Sequence, residues 1–102
     1  MARTVKWTNV AADDLFNAAE YIAKDSPFYA MALVREARAA ALSLSKFADR
    51  GRIVPESSTP EIRELFIKSY RLIYQTTSDH VFILAFIHGA RDLETIWQQQ
   101  HD

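Results

Sequence analysis

The chain has no cysteine, which removes disulfide staples, zinc-thiolate sites and thiol nucleophiles together and fits a cytoplasmic protein. It has only two glycines, too few for the usual phosphate-cradling loops, and no nucleophile elbow. No apolar run reaches the ~20 residues needed to cross a bilayer, and the opening MARTVKWTNV lacks the apolar core of a secretory signal, so no membrane association is expected. Its three histidines, His80, His88 and His101, have no paired ligand spacing, and neither a metal nor another cofactor is expected. A dense basic stripe is also missing. The formal net charge is −1; residues 35–71 carry eight Lys/Arg against five Asp/Glu, while residues 92–102 carry three acids and no base. A protein held to nucleic acid by phosphate neutralisation needs a more concentrated cationic footprint. No sequence-specific nucleic-acid binding by the chain alone is expected.

What is present reads as one globular domain, residues 1–102, with 49% apolar and 25% charged residues. Alternation over 3–7, with Val5 and Trp7 on one face, predicts a first strand. Thr8 or Asn9 then caps a helix, with Asp13 and Asp14 near its positive end and Ala11, Leu15, Ala18 and Ile22 on one apolar face. The KDSP segment ends it, and Ser26 with Pro27 starts a second helix over 28–47. A seam through Ala30, Val34, Ala37, Ala41 and Leu44 lets the two helices approach closely as an αα-hairpin.

Residues 48–60, ADRGRIVPESSTP, read as a loop. Strands over 62–67, 70–76 and 81–88 follow, with connections short enough to imply antiparallel hairpins. Asp92 caps a last short helix in which Leu93, Ile96 and Trp97 share a face. The expected fold is α+β and two-layered, a four-stranded antiparallel sheet with the helical hairpin on one face. The run VFILAFI over 81–87 is apolar at every position, as in a central strand. The second sheet face should therefore also bury something, another chain being one candidate.

The strand order, together with VKWTNVAADDLFNAAEYIAKDSP, RGRIVPE, RELFIKSYRLIY and FIHGARDL, resembles the RelE/ParE superfamily of type II toxin–antitoxin toxins, and within it the ParE, or plasmid-stabilisation, branch. The resemblance implies a toxin neutralised by a cognate ParD-like antitoxin whose flexible segment folds onto it, with DNA gyrase as target through protein–protein contact and no catalysis. RelE-like members are instead ribosome-dependent messenger RNA endoribonucleases that need no metal. A third alternative is a non-toxic partner-binding member of the family. A homo-oligomer or a toxin–antitoxin hetero-oligomer is compatible with each reading.

RNA cleavage by 2′-hydroxyl attack needs a base, positive charge for the phosphorane and an acid. The C-terminal tyrosine used by some RNase members is missing, since the tyrosines are Tyr21, Tyr29, Tyr70 and Tyr74. The remaining RNase variant would use Glu56 as base with Arg71 and His88. Arg71 shares a strand face with Ile73, which favours structural pairing with Glu64 or Asp92. Arg52 is expected to anchor the loop through Glu56 or the sheet edge, and Arg35 and Arg38 to form a solvated face. In HGARD, Gly89 supplies the backbone shape that ends the strand and Asp92 the cap. His88 and Arg91 are left as first candidates for target contact, with Arg52, Arg63 and Arg71 beside them. The antitoxin should dock on an apolar seam of the helical hairpin or on the uncovered sheet face, as an amphipathic helix or an added strand.

Overall fold

A computed structural model describes residues 2–89 of the chain. Strand β1 (Thr4–Trp7) leads into helices α1 (Asn9–Ala23) and α2 (Pro27–Ser43). Strands β2 (Arg52–Ile53), β3 (Ile62–Ile67), β4 (Tyr70–Thr76) and β5 (His80–His88) follow. They form one five-stranded sheet in the order β1-β5-β4-β3-β2. The expected last helix, with Asp92, Leu93, Ile96 and Trp97, lies outside the described residues.

Two expectations about the sheet are corrected. The first is the strand number: Arg52 and Ile53 pair antiparallel with Glu64 and Arg63 and add a fifth strand inside the expected loop. Two residues are too few to show a period-2 pattern. The second is direction, since β1 lies parallel to β5, Thr4 opposite His80 and Trp7 opposite Ile83. The intervening helical hairpin supplies the long crossover that a parallel pair requires.

Thr8 caps α1 and ties it to the sheet with one hydroxyl. Its Oγ1 accepts from the Ala11 N–H at 3.1 Å and donates to the Ile83 carbonyl at 2.8 Å. Beyond Trp7, β5 has no strand beside it on that edge among the described residues. There Asp14, expected to act on the positive end of α1, accepts from the Phe86 N–H at 3.0 Å. Thr8 and Asp14 thus supply polar partners along that edge.

Ser26 caps α2 by accepting from the Tyr29 N–H, with Pro27 in the first turn. The helix stops at Ser43, four residues short of the expected end. Its buried seam is Ala30, Leu33, Ala37 and Ala41; Leu33 takes the place expected for Val34, which is only partly buried.

A β-bulge between β4 and β5 decides which residues face where. Ile73 pairs with Ala85 and Tyr74 with Ile83, leaving Leu84 as the extra residue. Val81, Ile83 and Phe86 consequently pack with Leu72 and Tyr74 under the helices. Ala85 and Ile87 turn to the second face and cluster with Val54, Ile62 and Ile73. The uninterrupted apolar run therefore serves two cores through a phase shift. That second cluster is buried within the chain itself.

Candidate functional site

A chain of alternating charges crosses the second sheet face. Register places Arg52 opposite Glu64, Glu64 opposite Ile73 and Arg71 opposite Ile87. These side chains therefore share the face of the smaller core. Arg71 donates from Nε to Glu64 Oε1 at 2.6 Å and extends its two terminal nitrogens to Glu56, Nη1 to Oε2 at 3.0 Å and Nη2 to Oε1 at 2.9 Å. The other oxygen of Glu64 accepts from Arg52 Nε at 2.5 Å. The Glu64 carboxylate has no solvent exposure and the Arg71 side chain only 6%. The hydrogen bonds from Arg71 to Glu56 hold its guanidinium above the ordinary range, burial opposing and Glu64 reinforcing them.

Glu64, weighed with Asp92 as the partner of Arg71, is that partner; Asp92 and Arg91 lie outside the described residues. Arg52 anchors the sheet edge through Glu64, while Glu56 belongs to Arg71. Glu56 presents both carboxylate oxygens to the Arg71 fork and serves as a structural acceptor. His88 pairs with Tyr70 in register, and its ring meets the Tyr70 ring edge-on, centroids 5.5 Å apart. Tyr70 stacks on Phe86 under the helices. The sheet therefore brings Glu56 and Arg71 together and places His88 on its opposite face.

Arg63 and Tyr74 hold the segment before β2. Tyr74 Oη accepts from the Gly51 N–H at 2.9 Å and donates to the Ala48 carbonyl at 2.8 Å, and Arg63 Nη1 donates to the Gly51 carbonyl at 2.8 Å. Burial pushes the Tyr74 phenol up, against the Gly51 hydrogen bond. Arg63, nominated as a contact residue, thus spends a guanidinium nitrogen inside the fold. Sequence reasoning gave Tyr74 no role beyond the core, because a strand tyrosine looks the same whether or not its hydroxyl closes a loop. Gly89, expected to supply an unusual backbone shape, does not have a positive φ. A Cβ there would lie 3.2 Å from the Ser69 carbonyl oxygen, whose hydrogen bond from the Gly89 N–H is 2.7 Å long. Close approach is the reason for glycine.

The helical hairpin carries a different surface. A groove of about 560 Å³ runs between α1 and α2, with Phe16, Ala19, Ala23, Met31 and Val34 along it and Glu20, Arg35 and Arg38 at its polar margin. An adjoining hollow of about 370 Å³ extends it past Trp7 and Leu15. Arg35 and Arg38, expected as a plain solvated face, line this groove. Phe16 and Met31 are more than half exposed, as apolar side chains awaiting cover would be. Among the described residues, no helix is long and apolar enough to cross a membrane.

Comparison with known proteins agrees with this architecture. The family described as "ParE toxin of type II toxin-antitoxin system, parDE" matches residues 5–93. Toxin RelE2 of Caulobacter vibrioides is 34% identical over 92 residues, 89% of this chain and 99% of that protein. Among solved structures, a chain of the "Chromosomal ParDE TA system from P. aeruginosa" superposes with a TM-score of 0.69 at 23% identity, covering 85% of this chain and 96% of that one. A chain of the toxin–antitoxin complex RelBE2 from Mycobacterium tuberculosis superposes with a TM-score of 0.58 at 25% identity, covering 86% and 99%.

Proposed function

The chain belongs to the ParE toxin family of type II toxin–antitoxin systems, and from that premise we propose that it is a cytoplasmic, non-enzymatic toxin that inhibits DNA gyrase by protein–protein contact. The observation carrying this reading is the separation of the three groups an RNase would need. Glu56 and Arg71 are bound to each other on one sheet face, and His88 stands on the other. Catalysis of transesterification requires base, cation and acid to converge on one phosphate. The neutralising partner in this reading is a ParD-like antitoxin whose amphipathic helix covers the groove between α1 and α2.

The test is pulse labelling of DNA and protein synthesis just after induction without antitoxin, paired with gyrase supercoiling in vitro. Early arrest of DNA synthesis and loss of supercoiling are expected. Early arrest of translation with messenger RNA cleavage on ribosomes would overturn the reading. It would favour the second one, a RelE-class endoribonuclease using Glu56, Arg71 and His88, for which the 34% identity to a protein named Toxin RelE2 speaks. For the antitoxin, hydrogen exchange should show new protection over α1 and α2 and none at Ile73 or Ala85. Unchanged exchange on the hairpin would refute that docking surface.

A further inference from the structure

Buried ion networks rarely improve stability over apolar packing of the same shape, so their presence calls for another reason. Here the network runs from Glu56 through Arg71 and Glu64 and, among the described residues, reaches solvent at the guanidinium of Arg52, whose side chain is 58% exposed. Two constraints fix this group. Its Nε is tied to the fully buried Glu64 carboxylate, and its Cζ lies over the Phe66 ring, 5.0 Å from the centroid. Arg52 Nη1 and Nη2 have no partner among the described residues. Phe66 is itself more than half exposed, and nothing in the core requires it there.

We infer that Arg52 and Phe66 form a preorganised recognition site for a carboxylate side chain of the target protein, with Phe66 meeting an apolar neighbour of that carboxylate. A guanidinium bonded through Nε presents its terminal fork end-on, the geometry that takes both oxygens of a carboxylate. Orienting the group in advance removes part of the ordering cost that an exposed arginine pays on binding. An exposed arginine beside an exposed aromatic ring is also the composition of an interface hot spot. A phosphate backbone is the poorer fit, because among the described residues the network's two arginines are balanced by two carboxylates and tracking a nucleic acid needs several unbalanced cations. The site lies on the sheet face opposite the helices, away from the α1–α2 groove, which assigns it to the target and not to the antitoxin helix. The inference rests on the gyrase reading for the identity of that target.

The experiment measures binding of purified DNA gyrase, and separately of a DNA duplex alone, to the unmodified protein and to R52Q, R52K and F66L, with melting temperature as the control for folding. R52Q should weaken gyrase binding by about 30-fold, the usual threshold of an interface hot spot. R52K should lose nearly as much, since an ammonium cannot bond Glu64 and still present a fork. F66L leaves the buried network intact and should weaken binding several-fold. Gyrase binding within about twofold of the unmodified protein for all three variants would overturn the site while leaving the gyrase reading standing, by the same affinity scale. Parallel loss of duplex binding would overturn it in favour of a phosphate contact. Absence of gyrase binding by the unmodified protein would remove the reading and the inference together.

Discussion

Replacing Arg71 with methionine tests whether the second-face network is as desolvated as its geometry implies. The change strips Glu64 Oε1 of its 2.6 Å donor and takes the Arg71 fork away from both oxygens of Glu56. Glu56 is partly exposed and can hydrate, but the Glu64 carboxylate has no exposure. Stranding a buried charge costs about 3–5 kcal/mol. Arg52 remains on Glu64 Oε2, so the lower end, about 3 kcal/mol, is expected. For a domain of this length that is a fall in melting temperature of about 12–24 °C, and a large part of a total stability of about 5–15 kcal/mol. The Arg71 contribution is fully present below the ordinary guanidinium range and is lost only as pH rises through its raised folded value. Urea unfolding at pH 7 therefore reads all of it. The double variant R71M/E64L removes the stranded carboxylate as well and should be more stable than R71M, a non-additivity of about 1–2 kcal/mol. An R71M protein within about 1 kcal/mol of the unmodified chain would refute the reasoning, because a solvated pair is worth no more than that. Because E64L also frees Arg52 from its buried anchor, the double variant reads stability and not toxicity.

Tyr74→Phe removes the acceptor for the Gly51 N–H and the donor to the Ala48 carbonyl and should cost about 2 kcal/mol in urea unfolding. Because burial holds the Tyr74 phenol above its ordinary 10.0, the unmodified protein should lose stability as pH rises through that value, where the unfolded phenol ionises first; equal alkaline loss in the variant would sink the assignment. Gly51→Ala places a Cβ 2.5 Å from Tyr74 Oη and 2.6 Å from the Glu64 carbonyl oxygen, so chemical denaturation should show a loss of about 1–3 kcal/mol that Tyr74→Phe relieves only in part. Ala19→Trp fills the groove between α1 and α2 and should weaken calorimetric binding of the cognate antitoxin by about tenfold or more while unfolding midpoints stay the same, as for an interface core position.

The elements with strong local signals were legible in the sequence. Ser26–Pro27 and Thr8 marked helix starts that the structure keeps, and the expected bounds of β3 and β4, set about a two-residue connection, match the strands. Strand β2 was not legible, because two residues carry no period and the strand exists through pairing with β3 and the ion pair of Arg52 with Glu64. The bulge at Leu84 was hidden for a different reason. Seven apolar residues in a row look the same with or without a phase shift, so neither the split of Phe86 from Ala85 nor the side on which His88 emerges could be read. Arg71 with Glu64 was legible as a buried charge beside an apolar neighbour. That Glu64 would hold two guanidinium groups was not, since Arg52 reaches it only through tertiary pairing.

The charge surplus of residues 35–71 acquires a different meaning once its partners are known. Arg71 is bonded to Glu56 and Glu64, Arg52 to Glu64, and Lys68 approaches Glu36 at 3.5 Å. Arg63 spends a nitrogen on the Gly51 carbonyl, and Arg50 Nη1 donates to Ser43 Oγ at 2.6 Å. Most of the apparent basic excess is thus engaged in the fold and does not form a stripe able to follow a phosphate backbone. Among the described residues, Arg35, Arg38 and the outer nitrogens of Arg52 stand beside apolar surface. Arg35 and Arg38 flank an apolar groove between helices, where acidic residues at the margin of an amphipathic helix would meet them. Arg52 stands beside Phe66 on the other side of the sheet, fixed by a buried carboxylate. Each combines positive charge with apolar surface, the requirement for recognising protein, and the sheet between them allows the antitoxin-facing and target-facing surfaces to be altered independently.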